Sequence, residues 1–123
     1  MHPFVEKGIT PILHRDANWT PLLPYFREMP RASCILELDE DTDIVEAKRV
    51  LGDWMCLKGN VPAVTLAFGE TAEVEALCEK LIREVGRGGG FILGSGCEVP
   101  LNAKVENVTA MIPVARTWGR GIR

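Results

Sequence analysis

The chain repeats one pattern four times: a short, unbroken apolar run, then a longer stretch whose apolar residues recur at helical spacing. Short strands that are apolar throughout and separated by helices pair in parallel and are buried on both faces. The pattern therefore predicts an α/β fold with a parallel sheet. Such a repeat belongs either to a doubly wound sheet or to part of a barrel, and helix lengths do not separate the two.

The first unit has a strand over Ile9–Leu13 that ends in His14-Arg15-Asp16. A helix follows over Thr20–Met29, with Leu22, Leu23, Tyr25 and Phe26 as its apolar face and Pro21 in its first turn, where a missing N–H costs nothing. The second strand, Ser33–Leu36, runs into Glu37-Leu38-Asp39. Thr42 or Asp43 caps the next helix, Asp43 and Glu46 having capping-box spacing; Ile44, Val45, Ala47, Val50 and Leu51 form its face, and Gly52 stops it. The third strand, Trp54–Leu57, leads through Lys58-Gly59-Asn60 to a short apolar turn at 63–68. Thr71 then caps a helix with Val74, Leu77, Cys78, Leu81, Ile82 and Val85 on one stripe. The fourth strand, Phe91–Leu93, ends in Gly94-Ser95-Gly96-Cys97-Glu98. A last helix over Val105–Trp118 turns Val108, Met111, Ile112 and Ala115 inward, with a kink expected at Pro113. The run Gly86-Arg87-Gly88-Gly89-Gly90 precedes a strand and lacks a Gly-Lys-Ser/Thr ending, so it is not a phosphate loop.

A chain of 123 residues holds one core. Its net charge of −3 is spread over scattered residues, which gives no electrostatic footprint for nucleic acid or an anionic membrane. The only basic cluster, Arg116, Arg120 and Arg123, complements the negative end of the last helix. No apolar run approaches the roughly 20 residues of a membrane span, and the N-terminus has no signal-peptide pattern, so a cytoplasmic location is expected. The four cysteines, Cys34, Cys56, Cys78 and Cys97, form no Cys-x-x-Cys pair and are expected to be reduced, most of them buried.

Parallel α/β architectures gather chemistry at the C-terminal ends of their strands. Here those ends carry His14-Arg15-Asp16, Glu37-Leu38-Asp39, Lys58-Gly59-Asn60 and Gly96-Cys97-Glu98, while the opposite ends carry turn residues. His14, Asp16 and Cys97 form a zinc set of N, O and S donors that leaves one coordination position open. The plainer account is a rim histidine, an Asx-turn aspartate and a buried thiol. Glu37 and Asp39 suit acid–base work or a polar substrate group, or else are solvated loop charges. Asn60, with Gly59 before it, suits a close approach of backbone to ligand, or else a simple turn. Trp19 and Trp54 line a pocket or belong to the core.

Taken in order, Thr10-Pro-Ile-Leu-His14, Thr42-Asp-Ile-Val-Glu-Ala-Lys48, Leu57-Lys-Gly-Asn-Val-Pro62, Gly69-Glu-Thr-Ala-Glu-Val74, Gly89-Gly-Phe-Ile-Leu93 and Glu106-Asn-Val-Thr-Ala-Met111 resemble successive segments of the uroporphyrinogen decarboxylase superfamily. The resemblance implies the last four units of a (β/α)8 barrel, so that residues 1–123 make a single partial domain. The superfamily contains decarboxylases, with Gly-His-Gly after the last strand, and zinc methyltransferases that work with corrinoid proteins. The methyltransferases have a cysteine at that place and a His-x-Cys pair earlier. Cys97 matches the methyltransferases; His14-x-Asp16 departs from them by replacing one thiolate with a carboxylate.

What the resemblance implies is a methyltransferase. Zinc on His14, Asp16 and Cys97 would bind a substrate heteroatom, a partner protein would supply the corrinoid, and Glu37 and Asn60 would act beside the metal on a small methylated substrate or methyl acceptor. The alternatives are a uroporphyrinogen decarboxylase or a truncated, non-catalytic fragment. Four units leave sheet edges and a barrel interior open, so a homodimer or a missing N-terminal half is expected to cover them.

Overall fold

The structure, a computed structural model, describes residues 2–120; Arg123 of the basic tail lies outside them. After a short helix α1 (His2–Glu6), four strands alternate with helices: β1 (Ile12–Arg15), a 3-10 helix (Thr20–Glu28), β2 (Ile35–Leu38), α2 (Ile44–Leu51), β3 (Cys56–Val61), α3 (Ala63–Phe68), α4 (Thr71–Val85), β4 (Phe91–Ser95) and α5 (Val105–Trp118). The strands form one sheet in the order β1-β2-β3-β4, every neighbouring pair parallel. A doubly wound sheet reverses its strand order at a switch point. This one does not reverse, and its helices cover only one face. That combination is an arc of a barrel.

One-sided cover is visible in the burial of alternate residues. On the helix side, Leu36, Leu38, Leu57 and Val61 are completely buried and join Ile44, Leu51, Leu66, Val74, Val85 and others in a single core. The register places two rows on the other face: Ile12 beside Ile35 beside Cys56, and His14 beside Glu37 beside Lys58 beside Ile92. Of these, Ile12, His14 and Ile92 are exposed. The expectation of strands buried on both faces is corrected here, and with it the strand limits. His14, Arg15, Glu37, Lys58 and Asn60 lie inside strands, not past their ends. A polar side chain on the open face alternates with buried apolar ones, and it breaks the apolar run without ending the strand.

Two helices also depart from their patterns. The Thr20–Glu28 segment is a 3-10 helix, with Pro21 at its start and Pro24 inside it. Pro24 has no N–H to give an α-helical ladder. In α5 Val108, Met111 and Ala115 pack against the core as expected, but the buried positions are Asn107, Ala110 and Val114, and Ile112 is exposed. The helix is continuous through Pro113. By contrast Asp43 caps α2 as its spacing suggests, accepting from the N–H groups of Val45 and Glu46 at 3.0 Å each. Glu46 does not return the bond; it pairs with Arg49 instead. Thr71 is the first residue of α4, not its cap, and its hydroxyl bonds Asn107.

The four cysteines are free, Cys34 and Cys78 buried. Burial pushes the Cys78 thiol up to about 11. Trp19 and Trp54 both pack against the core. Gly59 sits in mid-strand with φ of 138°, and a Cβ there would lie 2.5 Å from the Leu38 carbonyl oxygen. Its conformational freedom brings β3 close against β2 at this point. Gly59→Ala is expected to lower stability by about 2 kcal/mol, the usual scale for a residue forced into a sparsely allowed conformation. Urea denaturation of the variant checks this; an unchanged midpoint would refute the tight approach.

Among the described residues, no helix is long and apolar enough to cross a membrane.

Candidate metal centre

His14 and Cys97 belong to opposite edges of the sheet, His14 to β1 and Cys97 to the loop after β4. They are 83 positions apart, yet Cys97 Sγ lies 4.0 Å from His14 Nε2. The sheet is curved enough for the two edges to meet over its open, concave face. Asp16, just past β1, completes the cluster: its Oδ1 is 2.8 Å from His14 Nε2. One donor atom from each of the three residues falls within 4.8 Å of the others.

Local sequence builds this convergence. Gly96 bonds through its N–H to the Val61 carbonyl at 2.9 Å. A Cβ at Gly96 would lie 2.8 Å from Glu40 Oε2 and 3.1 Å from Asp39 Cα. Only glycine lets the chain press against the end of β2 and then swing Cys97 toward β1. The Ser95 hydroxyl donates to the Cys97 carbonyl and holds the turn. On the other side, Asp39 is buried and braces the loop after β1: one oxygen accepts the Ala17 N–H at 2.8 Å, the other the Asp41 N–H at 3.0 Å. Thr42 adds to the brace by accepting from the Trp19 N–H and donating to the Ala17 carbonyl, both at 2.9 Å.

Glu37 stands beside the cluster on the open face. Its Oε1 accepts from Lys58 Nζ at 2.6 Å and lies 3.7 Å from His14 Nδ1. A histidine that ligates through one ring nitrogen holds its orientation by turning the other toward a carboxylate. At 3.7 Å Glu37 is beyond hydrogen-bond reach of the ring, and a small side-chain rotation would bring it into that positioning role. Asn60 is placed differently from its neighbours on the sheet. Its side-chain amide donates to the carbonyls of Asp39 and Thr42, each at 3.1 Å. It ties β3 to the loop after β2, so toward a ligand only its side-chain oxygen is free of these bonds.

The donor set suits zinc. Ligand atoms about 2.0–2.3 Å from one zinc ion lie roughly 3.5 Å from each other. The His14–Asp16 and His14–Cys97 separations bracket that value, so small side-chain rotations would satisfy it. Three donors leave a fourth position for substrate, and a carboxylate in the set makes the site harder than one of His and two thiolates.

One structural residue escapes the sequence patterns. Asn107, in α5, is fully buried. Its amide nitrogen faces the carbonyls of Thr65 at 3.4 Å, Leu66 at 3.2 Å and Gly69 at 2.9 Å, and its oxygen accepts the Thr71 hydroxyl at 3.0 Å. It closes the C-terminal end of α3 and anchors the α5 end of the loop that carries Cys97. Its polarity on an apolar face is the only signal.

Known proteins place the chain by family and by fold. In sequence, the chain is 30% identical to a uroporphyrinogen decarboxylase from Coxiella burnetii over 82 residues, 66% of this chain and 22% of that protein. It is 35% identical to one from Methylococcus capsulatus over 77 residues, 63% of this chain and 22% of that one. In structure, a methyltransferase from Methanosarcina mazei superposes with a TM-score of 0.78 at 22% identity, covering 95% of this chain and 34% of that chain. The chain thus spans about a fifth to a third of the length of the proteins it matches. The uroporphyrinogen decarboxylase family profile matches residues 2–118, and the chain belongs to that family.

Proposed function

We propose that this chain forms the metal-binding side of a methyltransferase active site, in which a methyl group passes between a substrate heteroatom and a corrinoid held by a partner protein. The observation that carries this reading is the meeting of His14, Asp16 and Cys97 across the open face. The structural neighbour from Methanosarcina mazei, a methyltransferase, is consistent with it.

In this reading His14 Nε2, an Asp16 oxygen and the Cys97 thiolate hold zinc. When bound, zinc supplies a Lewis acid for the substrate heteroatom. Glu37 orients the His14 ring, and Lys58 holds Glu37 in place. Asn60 and Asp39 keep the neighbouring loops in register, which fixes where Asp16 sits relative to the strand ends. The row of Ile12, Ile35 and Cys56 beneath gives the small substrate an apolar floor.

A second reading is decarboxylation of a tetrapyrrole, favoured by the names of the curated relatives. Metal content separates the two. The purified chain is expected to bind about one zinc, and Cys97→Ala or His14→Ala to weaken binding by roughly 100-fold or more, since each removes a direct ligand where even outer-shell losses cost 10–100-fold. A chain that takes up no zinc in titration but binds a porphyrinogen would overturn the methyltransferase reading in favour of the decarboxylase.

A further inference from the structure

We propose that Trp19 is a positioning residue for the metal centre, its indole N–H setting the direction in which Asp16 offers its carboxylate. The inference rests on the zinc reading of His14, Asp16 and Cys97, and adds to it a residue that acts only through Asp16.

Asp16 is the donor least supported by its own side chain. The carboxylate is 73% exposed, and its one side-chain hydrogen bond among the described residues is to His14. Its direction is therefore left to the backbone. The peptide unit that joins Asp16 to Ala17 is gripped from both sides. Its N–H donates to the buried Asp39 carboxylate at 2.8 Å, and its carbonyl accepts from Trp19 Nε1 at 2.6 Å. A peptide unit is planar, so bonds at its two opposite poles fix its rotation. With it they fix ψ of Asp16 and φ of Ala17. Ala17 is kept at φ of 69°, in the left-handed region that a residue with a Cβ seldom enters. Without the indole the carbonyl is free to turn, Ala17 can leave that region, and the Asp16 side chain swings away from His14 and Cys97.

Trp19 is itself held firmly enough to serve as a fixed donor. Its backbone N–H bonds Thr42 Oγ1 at 2.9 Å. Its ring packs against the core, 6.0 Å from the Phe26 ring and tilted by 50° to it. Strand alternation turns Arg15 to the helix side, between two residues that serve the open face. There its guanidinium lies 5.0 Å from the Trp19 ring and 5.9 Å from that of Phe26. Arg15 Nε is buried and has no hydrogen-bond partner among the described residues, so the aromatic rings are the contacts that locate it. One indole thus works in two directions that do not compete: its face takes the cation, and the N–H at its edge takes the Asp16 carbonyl. Indole nitrogen donates and does not accept, so Trp19 cannot itself be a ligand.

Zinc titration of the 123-residue chain against a chelating competitor tests the proposal. Trp19→Phe keeps an aromatic ring for Arg15 and Phe26 and removes the N–H. It should weaken zinc binding about 10-fold, the lower end of the loss that follows removal of an outer-shell partner. In an Asp16→Ala background the same change should have no further effect, because the indole acts through Asp16 alone. If Trp19→Phe does not fold, the benzothienyl analogue of tryptophan at position 19 keeps the fused ring without the N–H, and the same loss is expected. A loss that persists at full size without Asp16 would make Trp19 a general support of the rim and overturn the proposal. Zinc bound equally by wild type and Trp19→Phe would overturn it too, and would leave the zinc reading standing. A wild-type chain that takes up no zinc overturns that reading, and this inference with it.

Discussion

Replacing Asn107 with leucine is expected to lower stability by about 4 kcal/mol, although leucine fits an apolar helix face. The amide bridges the carbonyls of Thr65, Leu66 and Gly69 to the Thr71 hydroxyl inside the protein. Each buried polar group left without a partner costs about 1–3 kcal/mol. All three carbonyls retain another bond: Thr65 from the Gly69 N–H at 2.9 Å, and Leu66 and Gly69 from Lys104, through its N–H and its ammonium, both at 3.0 Å. The loss is therefore below a simple sum over all four groups. Thr71→Val removes one member of the network and should cost about 1 kcal/mol. Urea midpoints of the two variants check the ratio; equal, small losses would mean that water replaces the amide. Because the network anchors the far end of the Cys97 loop, Asn107→Leu should also weaken zinc binding where Thr71→Val does not.

The second large effect concerns the pair on the open face. Lys58→Met is expected to cost about 3 kcal/mol. It leaves Glu37, whose side chain is only 17% exposed, without its 2.6 Å partner, and removing one half of a largely buried ion pair is the costly change. Adding Glu37→Gln should recover much of that loss, because two neutral groups need no countercharge. A double-mutant cycle reads the coupling directly, and strict additivity would show that the pair contributes nothing. His14 is the second sensor: with Lys58 gone, Glu37 is free to turn fully toward the imidazole 3.7 Å away. A shift in the His14 ring resonances is expected in Lys58→Met and not in the double variant.

The fourfold alternation of the sequence is enough for the fold class, because each strand still turns at least one leucine to the helix side, Leu13, Leu36 and Leu38, Leu57, and Leu93. Whether the sheet is an arc or doubly wound is not legible in the residues themselves. Strand order is a tertiary property, and here the family resemblance supplies it. The same one-sided sheet explains the misplaced strand limits: Glu37 and Lys58 look like the ends of apolar runs only if both faces are assumed to be covered. His14, Asp16 and Cys97 are recognisable as donors at strand ends, but their meeting depends on curvature, which no local pattern encodes. The inward face of α5 follows its pattern in part: Val108, Met111 and Ala115 pack against the core, Ile112 is exposed, and the polar Asn107 is fully buried.

Since the donors hang from the two outermost strands, the triad works as a caliper across the whole sheet. Its opening is set by the sum of the twists between β1 and β2, β2 and β3, and β3 and β4, so small changes in each accumulate at the tips. A substitution on the helix side of β2 or β3, far from any donor atom, flattens or tightens the arc and moves Cys97 relative to His14. On the proposed zinc reading, metal affinity would report the shape of the core, and a repacked core that keeps full stability can still lose the site.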